Sequence, residues 1–350
     1  MIRRLSLAIG AIILPIASLG ILSRRASRRL LQPPRMIPAE AALGPAIDAL
    51  GGEVVRFRSR DGLRLAGRWL AAESDDPGWS SDPHEAVLLL HGWSGSSAPD
   101  AVEYGPFLRQ TAGVLAFDFR GHGGSDDGLT TFGMHEVEDI AGAIAWLGER
   151  GIDRVAIVGL SMGGLAAIAA VAVLGDGSLP NADADPAAPA HVAPPRRPRI
   201  VGIVGDSLAP ELVVAVASRL RGPARGWVAG RLFDAAARSL GADPRETEPV
   251  RVIGLLEGMP LLLISGEADT TVPIAAARRL AAAAPAGVEH WVVPGAEHRG
   301  AHRTDPAGYE SRVTDLLRRS FAAGREAGLI IAALERGRAR SHDPASPVED

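Results

Sequence analysis

Short, unbroken apolar runs alternate with longer stretches of helical period through most of this chain. Residues 54–58 and 63–69 flank Asp61-Gly62, a two-residue hairpin signal. Residues 85–90, 113–118, 154–158, 200–205, 260–265 and 290–294 read as buried strands, since apolar side chains fill both faces rather than one. Helical patterns fall near 39–50, 101–110, 135–150 and 162–174, and a last helix runs from about Pro306 to Phe321 or beyond. This βα alternation predicts an α/β fold, a mostly parallel twisted sheet flanked by helices. Three stretches break the rhythm. Residues 175–199 are rich in Pro, Ala and Asp without periodicity, which predicts an exposed, mobile insertion. Residues 208–255 carry mixed helical patterns with Arg, Leu, Trp227 and Phe233. Residues 323–350 extend the final helix and close on a tail, 341–350, of disordered character.

The apolar pattern at the other end is of a different kind. From Leu5 to Leu22 the chain has no charge, with Arg3 and Arg4 before it and Arg24, Arg25, Arg28 and Arg29 after it. At 1.5 Å per residue that span reaches about 27 Å, enough for a thin bilayer core. It predicts a single-pass anchor within residues 1–31, followed by a Pro/Ala-rich connector over 32–52. A cleaved signal leading to secretion is the alternative, although the small-x-small site Ser18-Leu19-Gly20 lies inside the apolar run and lacks the usual form. The excess of arginine after the segment leans toward a cytoplasmic catalytic domain. A chain begun near Gln32 would keep every site residue named below.

The chemistry starts where one apolar run meets the next. Gly159-Leu160-Ser161-Met162-Gly163 joins a strand to a helix rich in small residues. A G-x-S-x-G there makes a sharp turn that lifts a serine hydroxyl above the sheet, and the glycines leave room that a Cβ would take. The helix N-terminus aims its N–H groups at the same spot, where an oxyanion would form. An acid follows the strand at 260–265, in Gly266-Glu267-Ala268-Asp269, and a histidine follows the strand at 290–294, in Gly295-Ala296-Glu297-His298. A serine hydroxyl needs an imidazole to take its proton, and the imidazole needs a carboxylate to fix its tautomer. Ser161, Asp269 and His298 stand in the order Ser…Asp…His. Glu267 competes with Asp269 from nearer the strand, and His302 competes with His298 from further into the next loop or helix.

Two further stretches complete the picture: His91-Gly92-Trp93-Ser94-Gly95 at the end of one strand, and Asp118 to Ser125, of the form D-x-R-G-H-G-x-S, at the end of another. With these, the chain resembles the α/β-hydrolase superfamily, in particular bacterial serine hydrolases with H-G-W, D-x-R-G-H-G-x-S, G-x-S-M-G and G-x-x-D-x-x-V-P segments. The resemblance covers about residues 50–322 and implies an α/β-hydrolase domain over 53–322, with a small cap inserted at about 208–255. It also implies an oxyanion hole built from the backbone N–H groups of Trp93 and Met162. His91, His122 and Arg120 read as braces that hold loops by hydrogen bonding.

Composition narrows the class. The chain has 350 residues, enough for one large α/β domain with a lid or for two small ones. All 37 basic residues are arginine, which removes Schiff-base, pyridoxal and Walker-lysine chemistry together. Cysteine is absent, so there is no thiol nucleophile, disulfide or cysteine metal site. A net charge of −4 offers no case for nucleic acid. Glu136 and Asp139 read as first-turn acids that offset a helix dipole rather than as metal ligands, and no metal or organic cofactor is called for. The reading is a serine hydrolase cleaving a carboxylic ester, thioester or amide through an acyl-enzyme on Ser161, with a small-molecule or lipid-like ester first, and peptidase or thioesterase action behind it. A catalytically silent binding module of the same fold at the membrane is the alternative.

Overall fold

A computed structural model describes residues 27–35, 40–74, 79, 81–175 and 197–341. The proposed anchor from Leu5 to Leu22, the insertion except at its edges, and the C-terminal tail beyond residue 341 lie outside them. Among the described residues, no helix is long and apolar enough to cross a membrane.

Eight strands form one sheet: β1 (Glu53–Arg58), β2 (Arg64–Leu70), β3 (Glu85–Leu90), β4 (Gly113–Phe117), β5 (Arg154–Leu160), β6 (Arg199–Asp206), β7 (Leu261–Gly266) and β8 (Glu289–Val293). Their order is β1-β2-β4-β3-β5-β6-β7-β8. The β1–β2 and β2–β4 pairs are antiparallel, and every other neighbour pair is parallel. The central strands are apolar on both faces because both faces are covered. Along β3, Ala86, Leu88 and Leu90 join one core, while Val87 and Leu89 join the other.

The helices are α1 (Glu40–Leu50), α2 (Ser97–Leu108), α3 (Glu136–Glu149), α4 (Met162–Leu174), α5 (Leu212–Ala217), α6 (Arg225–Leu240), α7 (Ile274–Ala283) and α8 (Pro306–Ser341), with shorter turns between α6 and β7 and before α8. Helices α3, α4 and α7 pack on the first core through residues such as Ile140, Ile168 and Leu280. Helices α2 and α8 cover the second through Tyr104, Tyr309, Val313 and Phe321. Helix α4 is apolar all round because it is buried nearly all round, between the sheet and its neighbours. The segment expected to form a cap, residues 208–255, carries α5, α6 and short helices between β6 and β7.

One sequence expectation is altered in detail. The hairpin between β1 and β2 forms, but its ladder ends at the pair Arg58–Arg64 and not around a two-residue turn. Arg60-Asp61-Gly62 make the turn: the Ser59 N–H donates to the Leu63 carbonyl at 2.8 Å, the Gly62 N–H donates to the Ser59 carbonyl at 2.9 Å with Gly62 at φ 98°, and the Asp61 carboxylate accepts from Ser59 Oγ at 2.5 Å and from both Arg120 Nη atoms at 2.9 Å. The residues just before the connector and at its start pack on the domain. Leu30 and Leu31 are buried, the Leu31 carbonyl accepts from the Thr130 N–H at 2.7 Å, and the Arg35 guanidinium donates to the Gly123 and Ser125 carbonyls at 2.7 Å each. Residues 27–35 therefore form part of the folded surface, on the side that carries the β3 and β4 loops.

Candidate active site

The parallel strands deliver their carboxyl ends to one edge of the sheet, where ligands of open α/β sheets bind. Leu90, Leu160, Asp206, Gly266 and Val293 close β3, β5, β6, β7 and β8, and the functional loops start there. Ser161 follows β5 directly. Its φ of 51° and ψ of −114° lie in a region that an L-residue occupies at a cost of about 1–3 kcal/mol. Its surroundings hold it there. The Ser161 N–H donates to the Asp206 carbonyl at 2.8 Å, and the Ser161 carbonyl accepts from Gly164 and Leu165 at 3.0 and 3.1 Å. The glycines of the motif have specific work: a Cβ on Gly159 would stand 2.5 Å from the Gly164 Cα, and one on Gly163 would stand 2.3 Å from the Leu90 carbonyl oxygen.

From this turn the Ser161 Oγ meets His298 Nε2 at 3.1 Å. The other ring nitrogen, Nδ1, lies 2.7 Å from Asp269 Oδ2. Asp269 is buried, and its second oxygen accepts the N–H groups of Thr271 and Val272 at 2.7 and 2.8 Å. A carboxylate fixed on three sides gives the imidazole one orientation: Nδ1–H donates to Asp269, and Nε2 is left to face the serine. The two competitors lie elsewhere. Glu267 is exposed and accepts from the Gly295 N–H at 3.2 Å. His302 sits between Glu103 and Glu310, at 3.3 and 3.0 Å, with its ring against Phe107.

The two sequence-expected oxyanion residues flank Ser161. Met162 opens α4, so its N–H belongs to the first turn, which has no carbonyl of the helix to bond. Gly92 comes so close that a Cβ on it would lie 3.5 Å from the Ser161 Cβ, which places the following residue, Trp93, beside the nucleophile. The loop is held from several sides. His91 donates from Nδ1 to the Gly92 carbonyl at 2.8 Å and accepts the Phe119 N–H on Nε2 at 3.0 Å. His122 accepts the Ser94 N–H at 3.2 Å and donates to the Arg120 carbonyl at 2.9 Å. Burial depresses both imidazole pKa values, which keeps them neutral and able to accept. The Trp93 indole N–H donates to the Leu30 carbonyl at 3.2 Å. Arg120 in turn is clasped by the fully buried Asp139 and by Asp61. Glu136 accepts from Thr131 and Gly133. These first-turn acids of α3 thus do more than offset a dipole: they anchor two loops.

Behind the histidine lies a buried polar layer that carries no sequence signature. Arg299 has φ 56°; its N–H donates to Ser207 Oγ at 2.9 Å, and its guanidinium pairs with Asp100 on α2. Ser207 Oγ lies 2.8 Å from Asp206 Oδ1, and Tyr309 donates to the other Asp206 oxygen at 3.3 Å. Burial pushes the Asp100 carboxyl up to about 6 while the Arg299 charge pulls it back. Burial also raises Asp206. The layer ties the ends of β6 and β8 to α2, the helix that follows the β3 loop. Such an arrangement can deprotonate a serine, stabilise an oxyanion and return the proton to a leaving group.

A sequence profile described as the alpha/beta hydrolase family matches residues 87–312. No curated protein matches the chain in sequence. Among solved structures, an esterase of Pyrococcus furiosus superposes with a TM-score of 0.56 at 24% identity, over 83% of this chain and 97% of that one. The alpha/beta hydrolase GrgF from a Penicillium species gives 0.53 at 18%, over 78% and 100%. A thermophilic esterase from Thermogutta terrifontis gives 0.50 at 18%, over 77% and 99%. At these identities the likeness is one of fold.

Proposed function

The chain belongs to the alpha/beta hydrolase family, and from that premise we propose that it is a serine hydrolase that cleaves carboxylic esters through an acyl-enzyme on Ser161. The observation that carries the reading is the hydrogen-bonded line from Ser161 Oγ to His298 at 3.1 Å and on to Asp269 at 2.7 Å. In the proposed reaction the Ser161 oxygen attacks the ester carbonyl as His298 Nε2 takes its proton. The carbonyl oxygen becomes an oxyanion facing the N–H groups of Met162 and Trp93. As the tetrahedral intermediate collapses, His298 hands the proton to the departing alcohol. Water, deprotonated by the same nitrogen, then attacks the acyl-serine and releases the carboxylic acid and the free hydroxyl.

An ester is favoured over an amide or thioester by the company the fold keeps, since the Pyrococcus and Thermogutta proteins are named as esterases. Leu5 to Leu22 are proposed to anchor this catalytic unit to a membrane. The test is covalent labelling by a fluorophosphonate probe. The wild-type protein labels on Ser161, and Ser161→Ala does not. A folded wild type that stays unlabelled would leave a silent module in place of an enzyme.

A further inference from the structure

Arg219 follows α5 in the insertion between β6 and β7, and its guanidinium carbon lies 5.3 Å from the Trp93 ring centre, over the ring face. Trp93 is the residue whose backbone N–H serves as an oxyanion donor in the proposed reaction. The arginine therefore lies over the side chain of the residue that carries this donor. One of its nitrogens donates to the Ala215 carbonyl at 2.6 Å, a main-chain contact that fixes the group without neutralising it. Among the described residues no carboxylate forms an ion pair with it, whereas Arg120, Arg154, Arg245, Arg279 and Arg299 each have one. The negative charge that bears on it is that of Asp269, already committed to His298 and two backbone N–H groups.

Burial against its surroundings lowers the Arg219 pKa, so the cation is partly withdrawn from water, while the side chain as a whole stays open to solvent and reachable. The surrounding sequence strengthens the field. Residues 212–233 contain Arg219, Arg221, Arg225 and Arg231 and no Asp or Glu, in a chain whose net charge is −4. Only Arg231 of the last three has an ion-pair partner among the described residues, Asp234. A cation held over an aromatic ring, with no ion-pair partner among the described residues, gains from an anion brought by a ligand.

We infer that Arg219 is a specificity residue, and that the preferred substrates are esters bearing a carboxylate or phosphate within a few bonds of the scissile carbonyl. This rests on the reading of Ser161 as the nucleophile. Substrate anion and guanidinium pair over Trp93 as the carbonyl settles at the oxyanion donors, so the gain falls in KM more than in kcat.

The experiment compares matched esters. The acyl-side pair is mono-p-nitrophenyl glutarate against p-nitrophenyl pentanoate; the alcohol-side pair is 4-acetoxybenzoate against its methyl ester. The ratio of kcat/KM, anionic over neutral, is measured for wild type, Arg219→Gln, Arg219→Lys and Arg231→Gln, with a thermal melt for each protein. Dividing wild-type by variant ratios cancels the intrinsic reactivity of the esters. In at least one pair Arg219→Gln lowers the ratio about tenfold through KM, Arg219→Lys keeps part of it, and Arg231→Gln leaves it in place. The wild-type preference shrinks as salt rises from about 0.05 to 0.5 M. A shift below about twofold in both pairs, with esters still turned over, overturns the inference and leaves the hydrolase standing. Absence of both turnover and fluorophosphonate labelling takes down the hydrolase reading, and this inference with it.

Discussion

Gly163→Ala tests the geometry most severely. A Cβ on Gly163 would lie 2.3 Å from the Leu90 carbonyl oxygen, 2.7 Å from its carbon and 2.8 Å from the His91 carbonyl oxygen. All three atoms are backbone at the end of β3, a strand paired on both sides by β4 and β5, so none can swing away. Restoring ordinary contact at about 3.4 Å requires the start of α4 to retreat by about 1 Å. That end carries Ser161 and the Met162 N–H, while the loop after β3 carries the Trp93 N–H. The retreat pulls the two proposed oxyanion donors apart by the same distance, which turns a hydrogen bond of about 2.9 Å into a gap. Losing one such donor costs about 10²–10³ in kcat, and a misplacement of about 1 Å costs about 10² on its own. Overpacking adds about 1–3 kcal/mol of instability. The assay is kcat and KM on p-nitrophenyl acetate, the rate of fluorophosphonate labelling, and a calorimetric melt. Expected are a fall in kcat of about 10² or more, slower labelling and a Tm lower by several degrees. Gly230→Ala serves as control, since a Cβ there meets nothing within 4 Å. A folded Gly163→Ala protein with kcat within about threefold of wild type would refute the account of how α4 is seated against β3.

Asp269→Asn is expected to lower kcat by about 10³–10⁴ with folding retained, while Glu267→Gln and His302→Ala change it little; a crippled Glu267→Gln protein would move the acid by two residues. Arg299→Met leaves the buried Asp100 without its cation, which destabilises the fold by about 3–5 kcal/mol at pH 8. Asp100 already titrates at about 6 when folded, above its ordinary value of 3.8; the native state therefore binds the extra proton between about pH 4 and 6, and its stability rises as pH falls through that window. In Arg299→Met the window extends upward, so the deficit shrinks on acidification, and a Tm deficit independent of pH would refute the pairing. Full-length protein should fractionate with membranes and resist carbonate and high salt, because apolar burial is not screened. A chain begun at Ser23 should be soluble and active; one begun at Gln32 loses the Leu30 carbonyl that holds the Trp93 indole and the buried Leu30 and Leu31 side chains, and should show kcat lower by about tenfold with a reduced Tm, whereas equal activity would make that contact idle.

What could be read from the chain and what could not divides along a physical line. The strands, the turn at Ser161 and the loop positions of Asp269 and His298 are local events, each written in a few adjacent residues. A buried parallel strand must be apolar on both faces, and the Ser161 turn needs Gly159 and Gly163 beside it. Loops that deliver side chains to one edge of a sheet must follow the strand ends. The support of those residues is written differently. Arg299 meets Asp100 across 199 residues of sequence, and Tyr309 meets Asp206 across 103. Neither contact has a spacing or composition that marks it, because it exists only once β6, β8 and α2 share an edge. The same holds for the Trp93 ring, whose indole N–H is held by a carbonyl of the N-terminal segment and whose face is covered by Arg219. Trp93 is where the two kinds of information meet. Its place after His91-Gly92 is legible as a donor position, yet its ring couples that donor both to the stretch following the proposed anchor and to the group proposed to choose the substrate. If Ser161 is the nucleophile, a change at the Trp93 ring reaches the N-terminal segment, the Arg219 contact and the proposed donor together, which makes this side chain the most informative one to alter.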